Sequence, residues 1–98
     1  MSEAGHLSLI WSKAATHDIQ RLRDFIEPHN RDAAQRAALH LKQAAITLLA
    51  HPGIGKQLEG RQDRELYVPF GQRGYVIRYR LDATAIVILR IWHGREDR

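Results

Sequence analysis

No cysteine occurs in the 98 residues, so neither a disulfide staple nor a thiolate metal cage can hold this chain, and thiol chemistry is excluded. Long apolar runs are absent too: the longest uncharged apolar stretch, residues 44–50, is far short of the roughly 18–20 residues that cross a bilayer. The N-terminus lacks a basic region followed by an apolar one, the pattern of a secretory signal. These absences point to a cytoplasmic chain with no membrane span. Internal repeats, low-complexity tracts and linker-like stretches are missing as well. Because single cores usually need about 100–150 residues, the expectation is one domain over residues 1–98.

What is present is an ordinary globular composition, 44% hydrophobic and 27% charged, enough for a packed core. Charge leans positive, with 15 Lys and Arg against 11 Asp and Glu. Residues 1–59 carry seven bases and six acids, residues 60–98 eight and five, so the excess sits in the C-terminal part. Twelve of the bases are Arg, the side chain suited to bidentate contact with carboxylate or phosphate. An anionic partner, nucleic acid or an acidic protein segment, fits this bias, and so does an ordinary soluble surface.

Residues 7–11 read as a short strand, ended by Ser12, a good helix N-cap. In residues 13–27 the apolar positions Ala15, Ile19, Leu22 and Ile26 fall on one helical face with Phe25 at its edge, and Pro28 stops the helix. Asn30 can cap a second helix over residues 31–50, whose stripe is Ala34, Ala37, Leu41, Ala45 and Leu48, widened by Ala38, Ala44 and Leu49. The alanines allow close approach of a neighbouring element. The breakers His51 to Gly55 end this helix, and the polar stretch through Arg64 reads as a loop.

Residues 65–70, 75–81 and 85–92 are rich in β-branched and aromatic side chains and read as a three-strand meander, joined at Gly71–Gly74 and at Asp82–Thr84. Leu66, Val68 and Phe70 share one face of the first of these. In the second, Tyr75, Ile77, Tyr79 and Leu81 oppose Val76, Arg78 and Arg80. The third is apolar on both faces, as a central strand covered on both sides would be. The fold class is therefore α+β, in the order β-α-α-β-β-β.

If the aromatic face of the second strand meets the helices, Arg78 and Arg80 lie on the open face of the sheet, with Tyr67 beside them and Arg73 in the turn. That is a candidate anion surface, or a solvated face whose charges discourage edge association. His93 and Arg95 stand at the exit of the last strand, where a histidine can transfer protons near neutral pH and an arginine can neutralise an anion. Gly53 to Lys56 lacks the nucleotide-cradling pattern and does not follow a strand. The six histidines form no i, i+4 pair around a glutamate, so no metal or other cofactor is expected. Ser2, Ser8 and Ser12 lie in the first dozen residues outside any nucleophile elbow.

Several of these segments occur together in a known family. The Ala-rich helix ending Leu48-x-x-x-Pro52, then Arg64-Glu65-Leu66, Phe70-Gly71, Gly74-Tyr75-x-Ile77-x-Tyr79 and the closing Ile91-Trp92-His93-Gly94-Arg95-Glu96 resemble the ParE/RelE superfamily of type II toxin–antitoxin toxins, over residues 7–96. The resemblance implies a small antiparallel sheet packed against a helical hairpin. It also implies a cognate antitoxin whose C-terminal segment wraps the toxin, an amphipathic antitoxin helix entering the groove between hairpin and sheet edge. A homodimer or a heterotetramer with the antitoxin is left open.

The superfamily divides by target. Its RNA-cleaving RelE branch places basic side chains on the strand matching residues 65–70 and directly after the Gly-Tyr pair. Here those positions are Tyr67, Pro69 and Val76, which cannot stabilise the charge developing on a phosphate. The ParE branch is similar in Val68-Pro69-Phe70-Gly71, and its members inhibit DNA gyrase by binding. The first expectation is thus a gyrase-binding toxin using Arg78, Arg80, His93 and Arg95 for target or antitoxin contact. The alternative is a ribosome-dependent mRNA endoribonuclease, with Arg73 and Arg95 on phosphate and His93 or Tyr79 transferring protons. A degenerate toxin that only binds its partner is a third.

Overall fold

The structure is a computed structural model, and residues 7–26, 28 and 30–96 are described. The elements are β1 (Ser8–Trp11), α1 (Lys13–Ile26), α2 (Arg31–Ala50), β2 (Lys56–Gln57), β3 (Arg64–Val68), β4 (Tyr75–Leu81) and β5 (Ala85–His93). They form a five-stranded sheet in the order β1-β5-β4-β3-β2 with both helices on one face. This is the expected α+β class. The expectation of an antiparallel sheet is corrected in part: β1 runs parallel to β5, the strand the chain reaches only after both helices and β2, β3 and β4. The remaining pairs are antiparallel. The loop expected before Arg64 also contains the two-residue strand β2, paired with Arg64 and Glu65.

Both caps act as their residue types dictate. Ser12 Oγ accepts from Ala15 N at 3.0 Å, and the extended Asn30 (φ −168°) accepts from Ala33 N at 3.0 Å. Glu27, assigned to the first helix from the sequence, lies outside the described residues. The stripes of α1 and α2 meet the sheet in one core: Ala15, Leu22, Ala37, Leu41, Ala45 and Leu48 pack on Val68, Tyr75, Ile77, Tyr79, Ile86, Ile88 and Ile91. Burying such side chains drives the assembly of the two layers.

On the opposite face of the sheet, directly paired residues share a side, so rows can be read from the register. One row is Tyr67, Val76 and Trp92; the next is Glu65, Arg78 and Arg90; a third is Arg80 with Val87. Among the described residues no helix covers this face, which corrects the expectation that β5 is covered on both sides. Long side chains shelter it instead, with the guanidinium carbons of Arg78 and Arg90 lying 4.9 and 5.2 Å from the centroid of the Trp92 ring. β5 read as apolar on both faces because it carries a bulge: Tyr79 pairs with Ile88 and Arg78 with Arg90, leaving Leu89 as the extra residue. The inward positions therefore switch from Ile86 and Ile88 to Ile91.

Candidate functional site

The residues singled out in the sequence divide between two faces and a core. Tyr75 pairs with His93, so His93 lies on the helix side at the end of the sheet, opposite to Arg78 and Arg80. There the turn between β3 and β4 meets the turn after β5, and Gly94 N donates to Gly74 O at 3.0 Å. Glycine is required at this crossing. A Cβ at Gly94 would run into the Arg73 carbonyl, and Gly74 has φ +68° with only 2.7 Å between an added Cβ and Val68 O.

The two turns bring Arg73, His93 and Arg95 to one open cleft of about 400 Å³, whose walls include Phe25, Phe70 and Tyr75. The His93 ring packs 5.1 Å from Tyr75, edge to face, and 5.9 Å from Phe25. Its Nδ1 accepts the Arg95 N–H at 3.0 Å, which places the proton of the neutral ring on Nε2. Burial pushes its pKa below the ordinary imidazole value, and the charges of Arg95 and Arg73 push it further the same way. Among the described residues neither Arg73 nor Arg95 forms a salt bridge. A cationic cleft with aromatic walls can hold an acidic group beside a flat or apolar one.

The other candidates stand elsewhere. Arg78 donates to Glu65 Oε2 from Nε (3.0 Å) and Nη2 (2.7 Å) while lying over Trp92, so its guanidinium is held within the open face. Arg80 pairs with Asp82 at 3.0 Å near the far end of β4. Arg78 and Arg80 thus do not join His93 and Arg95 in one site. Tyr79 is fully buried, its hydroxyl accepting from Gly55 N (2.8 Å) and donating to Pro52 O (2.7 Å). Burial raises its pKa above the usual phenol value despite the Gly55 bond and the Arg64 charge. It holds its proton within the core, away from the cleft, and cannot serve there in proton transfer.

Sequence reasoning missed the network that supports the cleft. Asp18, 4% exposed, accepts from Ile91 N (2.8 Å), Arg90 Nε (2.8 Å) and Arg21 Nη2 (3.0 Å). Burial by itself would raise its pKa, but the bonds from Arg90, Ile91 and Arg21 and the Arg90 charge outweigh it and hold the carboxyl below its ordinary range. The signal was present in the sequence: Asp18 lies on the apolar stripe of α1 between Ala15 and Leu22, and a carboxylate there needs a partner. Among the described residues no group of three His, Asp or Glu side chains could hold a metal ion. No helix among them is long and apolar enough to cross a membrane.

A two-layer fold of this topology, with paired Gly-anchored turns carrying Arg73, His93 and Arg95, defines a small α+β protein with a cationic cleft at one end of its sheet. Residues 9–98 match the family of the ParE toxin of the type II toxin–antitoxin system parDE, and the chain belongs to that family. It is a type II toxin of the ParE/RelE superfamily. Among its relatives are toxin RelE1 of Caulobacter vibrioides, 37% identical over 93% of this chain and 97% of that protein, and toxin RelE3 of the same organism, 38% identical over 86% and 90%. Among solved structures, the fold is similar to one of the chromosomal ParDE toxin–antitoxin system from P. aeruginosa, with TM-score 0.76 and 22% identity over 93% of this chain and 99% of that one. It is similar too to the toxin–antitoxin complex RelBE2 from Mycobacterium tuberculosis, with TM-score 0.66 and 23% identity over 90% and 98%.

Proposed function

We propose that this chain is a ParE-like toxin that inhibits DNA gyrase by binding and is neutralised by a cognate antitoxin. The observation that carries this reading is the open face of the sheet. Where the RNA-cleaving branch sets basic groups around a scissile phosphate, this chain has the row Tyr67, Val76 and Trp92, and the neighbouring Arg78 is committed to Glu65. A metal-free ribonuclease needs preorganised positive charge at that point. Match to the ParE toxin family supports the same reading.

The cleft of Arg73, His93 and Arg95 and the face of Arg78 and Arg80 are the contact surfaces assigned to target and antitoxin. A groove of about 520 Å³ bounded by Trp11, His17, Ile19 and Lys42, between the helices and β1, is the assigned seat of an amphipathic antitoxin helix. Small size, a basic balance and the absence of a membrane-crossing helix among the described residues fit action in the cytoplasm.

A second reading is an mRNA endoribonuclease, favoured by the RelE names of the relatives and by the convergence of two arginines on His93. One preparation of the toxin separates them. Under the first, gyrase supercoiling falls and mRNA on translating ribosomes stays whole, with inhibition relieved by the antitoxin. Cleaved mRNA with normal supercoiling overturns it in favour of the second. Toxin that does neither, and does not slow growth when expressed, is the degenerate form.

A further inference from the structure

β5 extends beyond β1. The parallel pairing ends at Trp11 and Ile88, so among the described residues the rest of β5 has no strand beside it on that side. Side chains complete the edge instead. Ser12 Oγ donates to Leu89 O at 3.0 Å, Asp18 accepts from Ile91 N at 2.8 Å, and Arg21 Nη2 donates to Ile91 O at 2.9 Å. Arg21 then reaches past the edge. Its Nη1 pairs with Glu96 Oε2, while Glu96 Oε1 accepts from His93 N at 2.8 Å. Glu96 N donates to His93 O at 3.0 Å, and Arg95 N donates to His93 Nδ1. A continuous chain of bonds thus runs from the buried Asp18 through Arg21 and Glu96 to the backbone of the turn that bears Arg95.

We propose that Arg21 is a positioning residue for the cleft: through Glu96 it fixes the His93–Glu96 turn, and so the places of His93 and Arg95, for the contact with the toxin's target. This rests on the assignment of the cleft as a target-contact surface. The pair is partly solvent-exposed, with 38% of the Arg21 side chain and 24% of the Glu96 side chain accessible. Ion pairs so exposed contribute little to global stability, so the main consequence of this one is geometric. Contact side chains carried on a turn lose effect when the groups behind them let the turn drift. The guanidinium is required because it bonds Asp18, Ile91 O and Glu96 at once from a planar fork, which a lysine ammonium cannot reproduce.

The test compares wild type with Arg21→Met and Glu96→Gln by thermal melting, amide hydrogen exchange at Arg95, the 15N signature of His93 Nδ1, and potency in whichever target assay the wild type passes. Glu96→Gln leaves Asp18 and the β5 edge intact, so a misfolded Arg21→Met does not remove the test. Glu96→Gln is expected to melt close to wild type and Arg21→Met, which also takes a donor from the buried Asp18, at a lower temperature; both folded variants are expected to show faster Arg95 exchange by about tenfold or more and a changed His93 Nδ1 signal. Potency per folded molecule is expected to fall by about tenfold or more. Arg95 exchange and the His93 signal unchanged in the folded variants overturn the positioning role, as does potency that falls only with the folded fraction. Wild type inactive on both gyrase and mRNA overturns the functional reading instead, and exchange and the Nδ1 signal still decide whether Arg21 sets the turn.

Discussion

The hydroxyl of Tyr79 and the amide of Gly55 stand 2.8 Å apart, tying the middle of the sheet to the loop that ends α2. The same hydroxyl donates to Pro52 O, and a Cβ at Gly55 would lie 2.6 Å from the ring, so ring and loop fit only with glycine there. Tyr79→Phe leaves the buried Gly55 N–H and the part-buried Pro52 C=O without their partner, an expected loss of about 1–3 kcal/mol in chemical denaturation. Toxicity per folded molecule is expected to stay at wild-type level. A folded Tyr79→Phe protein without toxic effect would return Tyr79 to the list of site residues.

Removal of the Asp18 carboxylate strips the Ile91 amide and Arg90 of their shared acceptor. Asp18→Ala is expected to cost about 1–3 kcal/mol at pH 7 by urea unfolding, the range for leaving the buried Ile91 amide without its acceptor, because Arg90 and Arg21, 43% and 38% exposed, can turn to water. Because the folded carboxyl titrates below its unfolded value of about 3.9, its contribution is fully present above that pH and is lost as pH falls through the folded value. The stability gap between wild type and variant is therefore expected to narrow in acid. A gap that is constant down to pH 2 would contradict the linkage.

His93 has the opposite charge type and the same direction of pH dependence. Burial, Arg95 and Arg73 favour the neutral ring, and protonated Nδ1 would face the Arg95 N–H donor to donor. The folded pKa lies below the unfolded value of about 6.5, so the stabilisation is complete above that pH and disappears as pH falls through the folded value. Titration by NMR should give a midpoint under 6.5. Arg73→Ala should raise it, and a midpoint that is unmoved would mean that Arg73 does not act on the ring.

Gly94 sits where the two turns cross, its amide bonded to Gly74 O. Gly94→Ala forces a methyl group against the Arg73 carbonyl, so one of the two turns must shift, at an expected cost of about 1–3 kcal/mol by thermal unfolding. Amide shifts should change at Arg73 and Gly74 as well as at Arg95. A variant as stable as wild type with unmoved Arg73 signals would show that the crossing is looser than described.

The helices were legible because local chemistry decides them: Ser12 and Asn30 cap, Pro28 and Pro52 interrupt, and alanines and leucines repeat at helical spacing. The meander was legible from Gly71, Gly74 and the alternation in β4. Two residues of β2 contain no alternation to read, and nothing local says that β1 pairs in parallel with β5. Leu89 hid more, since one extra residue reverses which side later residues face and so concealed that Arg90 shares a row with Arg78. Of the site, His93 and Arg95 were visible at a strand exit and Arg73 in a turn. That Arg78 lies across the sheet from His93 depends on the Tyr75–His93 register, which composition and spacing do not encode.

The way α1 completes the free side of β5 also bears on association. Exposed main-chain groups at a sheet border invite a stranger's strand to add on, the first step of swapping and fibril growth. Asp18 and Arg21 already occupy those groups at Ile91, so an intruding segment would have to evict a carboxylate and a guanidinium before pairing there. Toxin released from a partner is thereby guarded against recruiting its own copies along that border.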